Sequence, residues 1–405
     1  MGDTMQNSRL AVMQVVSNLN IGGAQEVVRT LAETLSEAGC HTVVCAFQDG
    51  PFHHRIAQLG IPVEILPTRR YGVIALPLYI MEMIRLRRAL AELVKKYQVD
   101  VIQTHLLRSL DFLVLSLQAH MNPLVFWTIH NSNFFLREDH LRRHKWLLGP
   151  KQWGYRLLYR LMARWVNGFI AVSDEVKTSI LETIGHIPED KVTVICNGVD
   201  VRRYQQTVDK IHVRRQLGLP ENACLMAVVA TFKAQKGHRY LIEAAPPVVE
   251  KFPNLHILFI GDGDLRQDLQ VQTDVMGLTE HIHFLGSRKD VPELLAASDY
   301  FVLPSLWEGL SMALIEAMAT GLPIIATEAS GTNQVMIAGE TGLLIPPGDA
   351  HRLTEAMLEL LSEPVRARAM GDAARRRVVS QFSVQKQAGD HMALYQRARI
   401  KTGEP

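Results

Sequence analysis

Cysteine is scarce in this chain of 405 residues, with Cys40, Cys45, Cys196 and Cys224 the whole supply. None stands in a C-x-x-C pair or beside a histidine at zinc spacing, which excludes a disulfide scaffold and a zinc module. Buried thiols in a reducing cytoplasm are the expectation. Long apolar runs are missing as well: no stretch of about 18 apolar residues could form a spanning helix. No basic segment followed by an apolar one opens the chain, so export is not indicated. Met1-Gly2 begins like a myristoylation signal, but Gln6 stands where Ser or Thr is needed. An excess of one charge is also lacking, since 43 Lys and Arg face 41 Asp and Glu for a net charge of +2. That gives no general case for nucleic acid, and any basic surface must be local. A complete G-x-G-x-x-G is absent too, because Arg266 follows Gly261-x-Gly263 where the third glycine belongs. The signature of a dinucleotide-binding oxidoreductase is therefore not met.

What is present is enough apolar material, 47% of residues, to fill more than one core. Apolar runs at 10–16, 41–47, 63–66, 101–104 and 124–129 read as strands. They alternate with helical spacing such as Val27, Leu31 and Leu35, or the stretch 81–97. A second series begins at 224–230 and continues at 256–260, 282–285 and 300–303, with a helical stretch expected over 240–250. Strands alternating with helices predict an α/β fold with parallel sheets, which take ligands beyond the carboxyl ends of their strands. Between the two series, Ser173 is placed to cap the helix that follows 169–172.

The chain is organised around residues 304–323. After the strand at 300–303 comes a loop to Leu310, then a helix over 311–320 closed by Gly321 and Pro323. Glu308 lies in the loop and Glu316 about one and a half turns inside the helix, roughly 7 Å along its axis at 1.5 Å per residue. Between these carboxylates sit the open N–H groups of a helix start, which suit a phosphate or pyrophosphate. Gly309 leaves the backbone uncovered there. A sugar joined through pyrophosphate to ribose would meet one carboxylate at each end and the helix start in the middle.

Glu308-x7-Glu316, with Trp307 and Gly309 around the first and Glu-Ala-Met-Ala-Thr-Gly around the second, resembles the E-x7-E signature of the retaining glycosyltransferases of family 4. The resemblance implies the GT-B architecture, two Rossmann-like parallel-sheet domains facing a deep cleft. The expected limits are an acceptor domain over 1–203, a nucleotide-sugar donor domain over 204–383, and a last helix, 384–405, returning to the first domain. It implies a hexose passed from a nucleoside diphosphate sugar, by default a UDP-sugar, to an acceptor hydroxyl with no metal or other cofactor. Glu308 would grip a sugar hydroxyl and Glu316 the ribose, with Gly309, Leu310 and Ser311 also against the donor. Gly22 and Gly23, between a strand and a helix, resemble the family's N-terminal glycine loop. His130, after the strand 124–129, matches the active-site histidine. His105 and Asn131 are candidates on the acceptor side.

In the second half Lys236-Gly237 resembles the phosphate loop of the nucleotide side, with Lys236 neutralising the pyrophosphate. The family usually carries Arg five residues earlier, where this chain has Thr231; Lys233 is out of register to replace it. Gly286, Ser287 and Arg288 correspond to the loop that reads the base through its backbone. Asp262-Gly-Asp264 imitates a D-x-D metal motif, but a turn after a buried strand accounts for it. From 137 to 165 basic residues alternate with Trp146, Trp153, Tyr155, Tyr159 and Trp165, and a second basic stretch runs over 85–96. Such a mixture suits either a solvated helix with its aromatics packed on the domain or the headgroups of an anionic membrane. The second reading fits family members that act on lipid-linked acceptors and would put the protein at the inner face of the membrane. A nucleotide-sugar epimerase of the same architecture and a sugar-binding protein without activity remain as alternatives.

Overall fold

Strands buried on both faces must find hydrogen-bond partners in a sheet and apolar cover from helices above and below. The computed structural model, which describes residues 9–20, 22–68, 76–105, 109–130, 148–308, 310–329 and 331–402, solves this problem twice. One unit comprises the described residues through Asn197 together with those from Val384, and the other comprises Gly198–Ser383.

The first unit holds seven strands: β1 (Ala11–Val16), β2 (His41–Ala46), β3 (Val63–Ile65), β4 (Val101–His105), β5 (Leu124–Ile129), β6 (Gly168–Ala171) and β7 (Val192–Val194). Their order is β3-β2-β1-β4-β5-β6-β7, and all the pairings are parallel. Apolar runs such as Leu124-Val-Phe-Trp-Thr-Ile129 are wholly buried. On one face, Val12, Leu31, Phe126 and Ile170 form a core with Ala388 and Tyr395. The last two come from the helix Val384–Thr402, which lies against the helix Gly23–Glu37 and against β5. Ser173 caps the helix Asp174–Ile184, accepting a bond from the Val176 amide at 3.2 Å.

The second unit holds β8 (Cys224–Val229), β9 (Leu255–Ile260), β10 (Ile282–Gly286), β11 (Tyr300–Leu303), β12 (Ile324–Thr327) and β13 (Leu343–Ile345), ordered β10-β9-β8-β11-β12-β13 and again parallel. Phe284 meets both Phe232 and Phe259 edge to face in its core, the arrangement their ring quadrupoles favour. Both sheets are of the Rossmann type, and the strand order reverses between β1 and β4 and between β8 and β11. At such a point neighbouring loops diverge and leave a crevice at the carboxyl ends of the strands.

Several expectations need correction. The helical stretch at 240–250 is two helices, His238–Ala244 and Pro246–Lys251. Pro246 and Pro247 have no amide hydrogen to continue the first helix, and the second begins on them. The helix expected over 81–97 begins earlier, as Leu76–Lys96. The thiols are free, but only Cys40 and Cys45 are buried; Cys196 and Cys224 are half-buried. Burial still pushes Cys224 up to about 12 and Cys196 to about 11, so neither is a thiolate at neutral pH. Within the aromatic-basic segment, residues 137–147 lie outside the described residues. Of the two readings of that segment, Tyr159 follows the one with aromatics packed on the domain: it is turned inward against Phe112 and Trp127, and its hydroxyl donates to Asp111 at 3.0 Å. No helix among the described residues is long and apolar enough to cross a membrane.

Candidate active site

Nearly all the described candidate residues stand where a parallel sheet presents its loops. In the second unit the segment after β8 carries Thr231 and Lys236, and that after β11 carries Glu308, Leu310 and Ser311. Their meeting depends on Gly237. It is left-handed, with φ 66°, and a Cβ there would lie 1.9 Å from the Pro304 carbonyl oxygen. Leu306 N donates to Gln235 O at 2.7 Å and Gln235 Nε2 to Trp307 O at 2.8 Å, so the two segments are stitched by backbone and side chain.

Lys236 Nζ thereby reaches Glu308 Oε1 at 2.5 Å, and Ser305 Oγ donates to the same oxygen at 2.7 Å. Glu308 is buried and Lys236 is one-fifth exposed at its side chain. A pair this enclosed holds both groups in place, because removing either partner would strand the other charge away from water. An ammonium has three N–H groups and Glu308 takes one, so Lys236 can also serve an anion. Ser311 caps the helix Met312–Thr320, accepting a bond from the Leu314 amide, and Glu316 lies half-buried in its second turn. Gly321 ends the helix in the left-handed conformation, φ 85°. Gly309 lies outside the described residues.

Thr231 and Lys233 are exposed, and Lys233 begins the short turn Ala234–Lys236. His238 is buried edge-on to Phe232 and Phe259, and neither ring nitrogen has a partner among the described residues. Burial first, and Lys236 second, push it down to about 4, so it stays neutral and adds no charge to the loop. Gly286 ends β10 and Ser287 and Arg288 follow it, two strands from β8, which places them about 10 Å away at 4.8 Å per strand. Gly286 has φ 69°. The Arg288 guanidinium is spent on both oxygens of Asp290, at 2.8 and 2.5 Å, leaving backbone as that turn's open face. Asp262 accepts from the Gly263 amide and from Arg266, as a turn residue does.

In the first unit Gly22 precedes the helix Gly23–Glu37 with φ −179°, an extended conformation open to any residue. The pair is therefore not demanded by backbone strain; an added Cβ at Gly23 would meet nothing within 4 Å, so the helix start is uncovered. His105 ends β4 and His130 follows β5. Their rings stack at 5.3 Å, with His105 Nδ1 and His130 Nε2 3.0 Å apart. Asn131 lies outside the described residues. The contacts of His105, Ser305 and Gln235 were not anticipated. A polar residue inside an otherwise apolar strand, such as Gln14 or Gln103, is the sequence signal that marks the buried side of this site.

Two parallel sheets that each reverse their strand order make the GT-B fold. Comparison with known proteins agrees. Residues 21–203 match the profile described as Glycosyltransferase Family 4, and residues 209–377 that of Glycosyl transferases group 1. The UDP-Gal:alpha-D-GlcNAc-diphosphoundecaprenol alpha-1,3-galactosyltransferase of Escherichia coli is 30% identical over 312 residues, 76% of this chain and 78% of that one. A GDP-mannose-dependent monoacylated alpha-(1-6)-phosphatidylinositol monomannoside mannosyltransferase of Corynebacterium glutamicum is 32% identical, over 50% of this chain and 53% of that one. Anabaena HepE, crystallised with UDP-glucose, superposes with a TM-score of 0.77 at 21% identity over 95% of this chain and the whole of the other, a likeness of fold. The chain belongs to glycosyltransferase family 4 and acts with nucleotide sugars.

Gly237→Ala is expected to destabilise the second unit by about 2–4 kcal/mol, since it adds both strain and a clash with Pro304. Urea unfolding followed by fluorescence checks this; an unchanged midpoint would mean that the two loops separate at little cost.

Proposed function

We propose that the enzyme is a retaining hexosyltransferase that takes its sugar from a UDP-sugar and passes it to a hydroxyl of a lipid-linked sugar acceptor in glycoconjugate synthesis. The observation that carries this reading is the contact of Lys236 with Glu308 beside the start of the helix Met312–Thr320. Cation, carboxylate and helix N-terminus suit a sugar joined to a diphosphate. The backbone of Gly286–Arg288, about 10 Å along the sheet edge, is left for the base. The donor class is supported by the UDP-Gal in the name of the E. coli relative and by the UDP-glucose bound to HepE. The lipid-linked acceptor is supported by the diphosphoundecaprenol of that same name.

In the reaction the bond between the anomeric carbon and the diphosphate oxygen breaks and a bond to the acceptor oxygen forms on the same face. The acceptor proton passes to the departing phosphate. Negative charge grows on the diphosphate, and Lys236 with the first-turn amides of the helix meets it without reorganising, each such donor being worth about 3–4 kcal/mol. Glu308 binds a hydroxyl of the sugar and Glu316 the ribose, and His130 is the residue that the family resemblance assigns to the donor sugar. This chemistry calls for no metal.

Glu308→Gln, which keeps the volume and removes the charge, is expected to lower turnover of the UDP-sugar by about a hundredfold or more with folding retained. Lys236→Ala should weaken UDP binding about ten- to a hundredfold in calorimetry, one charge-assisted bond being worth roughly 1.5–3 kcal/mol. Full turnover in the first variant, or unaltered affinity in the second, would overturn these assignments. Activity should persist in EDTA, and a strict metal requirement would revive Asp262 and Asp264. Donor consumed without acceptor to give an isomerised nucleotide sugar would instead identify an epimerase.

A specific surface supports membrane contact. On and just after the helix Leu148–Met162, Trp153 (67%), Leu157, Leu161 and Trp165 (51%) are exposed. Arg156, Arg160 and Arg164 are exposed among them, and the Arg164 guanidinium lies 4.0 Å over the Trp165 ring. Indole at the apolar boundary and guanidinium on lipid phosphate is the pattern of a headgroup interface. The second basic stretch offers less, since Arg85 is tied to Glu82, Arg87 to Ser116 and Lys96 to Glu64. Binding to phosphatidylglycerol vesicles is expected at low salt and should fall as salt rises. Arg160→Glu and Trp153→Ala should each weaken it, and no binding at low salt would favour a soluble acceptor.

A further inference from the structure

A line of side chains runs through the first unit from its last helix to His130. Gln14 on β1 lies opposite Gln103 on β4, and His105 on β4 opposite Thr128 on β5. All four are buried, as are His391 and Tyr395 of the helix Val384–Thr402. Polar groups enclosed to this degree must satisfy one another, and their donors and acceptors can be assigned in sequence.

The fixed point is a backbone carbonyl. Gln387 O can only accept, so His391 Nδ1, 2.9 Å away, carries a hydrogen. Burial first holds His391 down to about 4, so at neutral pH it is uncharged and its Nε2 must accept. The atom facing Nε2 at 3.3 Å is then the amide nitrogen of Gln103, which also donates to Thr128 Oγ1 at 2.6 Å. The Gln103 oxygen is thus turned the other way, where it accepts from the Tyr395 hydroxyl and, at 3.3 Å, from Gln14 Nε2. That turns the oxygen of Gln14 toward His105, whose Nε2 donates to it at 2.7 Å. His105 lies well below the usual imidazole range, through burial first and His130 and His391 after it. Being uncharged with its hydrogen on Nε2, it presents Nδ1 as an acceptor, and what faces Nδ1 at 3.0 Å is His130 Nε2.

We propose that the C-terminal helix, acting through Gln103, Gln14 and His105, fixes His130 in the tautomer that carries its hydrogen on Nε2 and leaves Nδ1 as a hydrogen-bond acceptor. His130 Nδ1 has no partner among the described residues. The exposed edge of this histidine thus receives a hydrogen bond from a hydroxyl and does not donate one, which selects a sugar hydroxyl over an ether or carbonyl oxygen at that position. His391, Tyr395, Gln103, Gln14 and His105 are positioning residues. This inference deepens the reading of His130 as a contact of the donor sugar. Full transfer by His130→Ala would overturn that reading and leave the tautomer measurement untouched.

The test is long-range proton–nitrogen NMR on the intact chain labelled in its histidines, with His130 assigned by the loss of its signals in His130→Gln. At pH 7.5 the native protein is expected to show Nδ1 of His130 as an unprotonated ring nitrogen and Nε2 as a protonated one. A native His130 with its hydrogen on Nδ1 would overturn the proposal outright, whatever any variant does. Tyr395→Phe with His391→Leu removes the two groups of the last helix that orient Gln103. Gln14→Met removes the acceptor of His105 at nearly constant volume. Both should lose the single tautomer and give averaged His130 nitrogen shifts, with UDP affinity unchanged because the nucleotide is held by the second unit. A single Nε2–H tautomer persisting in both variants would overturn the assignment to the last helix, since a purely structural role would leave the ring nitrogens as they are. If the double variant fails to fold, the native spectrum and Gln14→Met still decide.

Discussion

The active-site side of the second unit rests on a close approach between two stretches of backbone, with Gly237 seated on the carbonyl of Pro304. Parallel strands deliver their following loops to one edge of a sheet, but they do not make those loops touch. Contact requires that one chain present nothing beyond its α-carbon. Once Gly237 has closed on Pro304, Gln235 can reach Leu306 and Trp307, and Lys236 has little choice but Glu308.

The resulting ion pair shows how such a site is kept ready. A lysine on an exposed loop would sample many rotamers and lose that freedom on binding. Enclosed and tied to Glu308, Lys236 has already given it up during folding. The carboxylate is held in turn by Ser305, whose own carbonyl accepts from Thr327 on the neighbouring strand, so the geometry is anchored in the sheet. The cost is that neither charge can be removed alone without harm to its partner.

Much of this was legible in the residues. Leu10 to Val16, Leu124 to Ile129 and Tyr300 to Leu303 declare themselves as strands by their unbroken apolar character, and Ser173 and Gly321 punctuate helices as their chemistry requires. The glutamate spacing around residues 308–316 and the Lys-Gly step at 236 pointed to the right family. What could not be read was anything joining distant parts of the chain. Gln103 and Tyr395 share a hydrogen bond across 292 positions, and nothing in the local pattern of either announces the other. Tyr159 stayed open for a related reason: on an amphipathic helix an aromatic residue can face lipid or core, and only Asp111 and Trp127 decide between them. The proline pair at 246–247 was plain in the sequence, and its effect on the helix follows from the missing amide hydrogens.

The helix Val384–Thr402 belongs to the unit built by the opening half of the chain. During synthesis, then, the seven strands of that first sheet emerge from the ribosome long before Tyr395 does, and the whole second sheet is made in the interval. Until that helix arrives, Gln14 and Gln103 have only each other, Thr128 and His105, or water, and Phe126 lacks the cover of Tyr395. A nascent or truncated polypeptide would carry an unfinished opening half, exposed to proteases and chaperones, and only a translation product reaching its last helix could seal it.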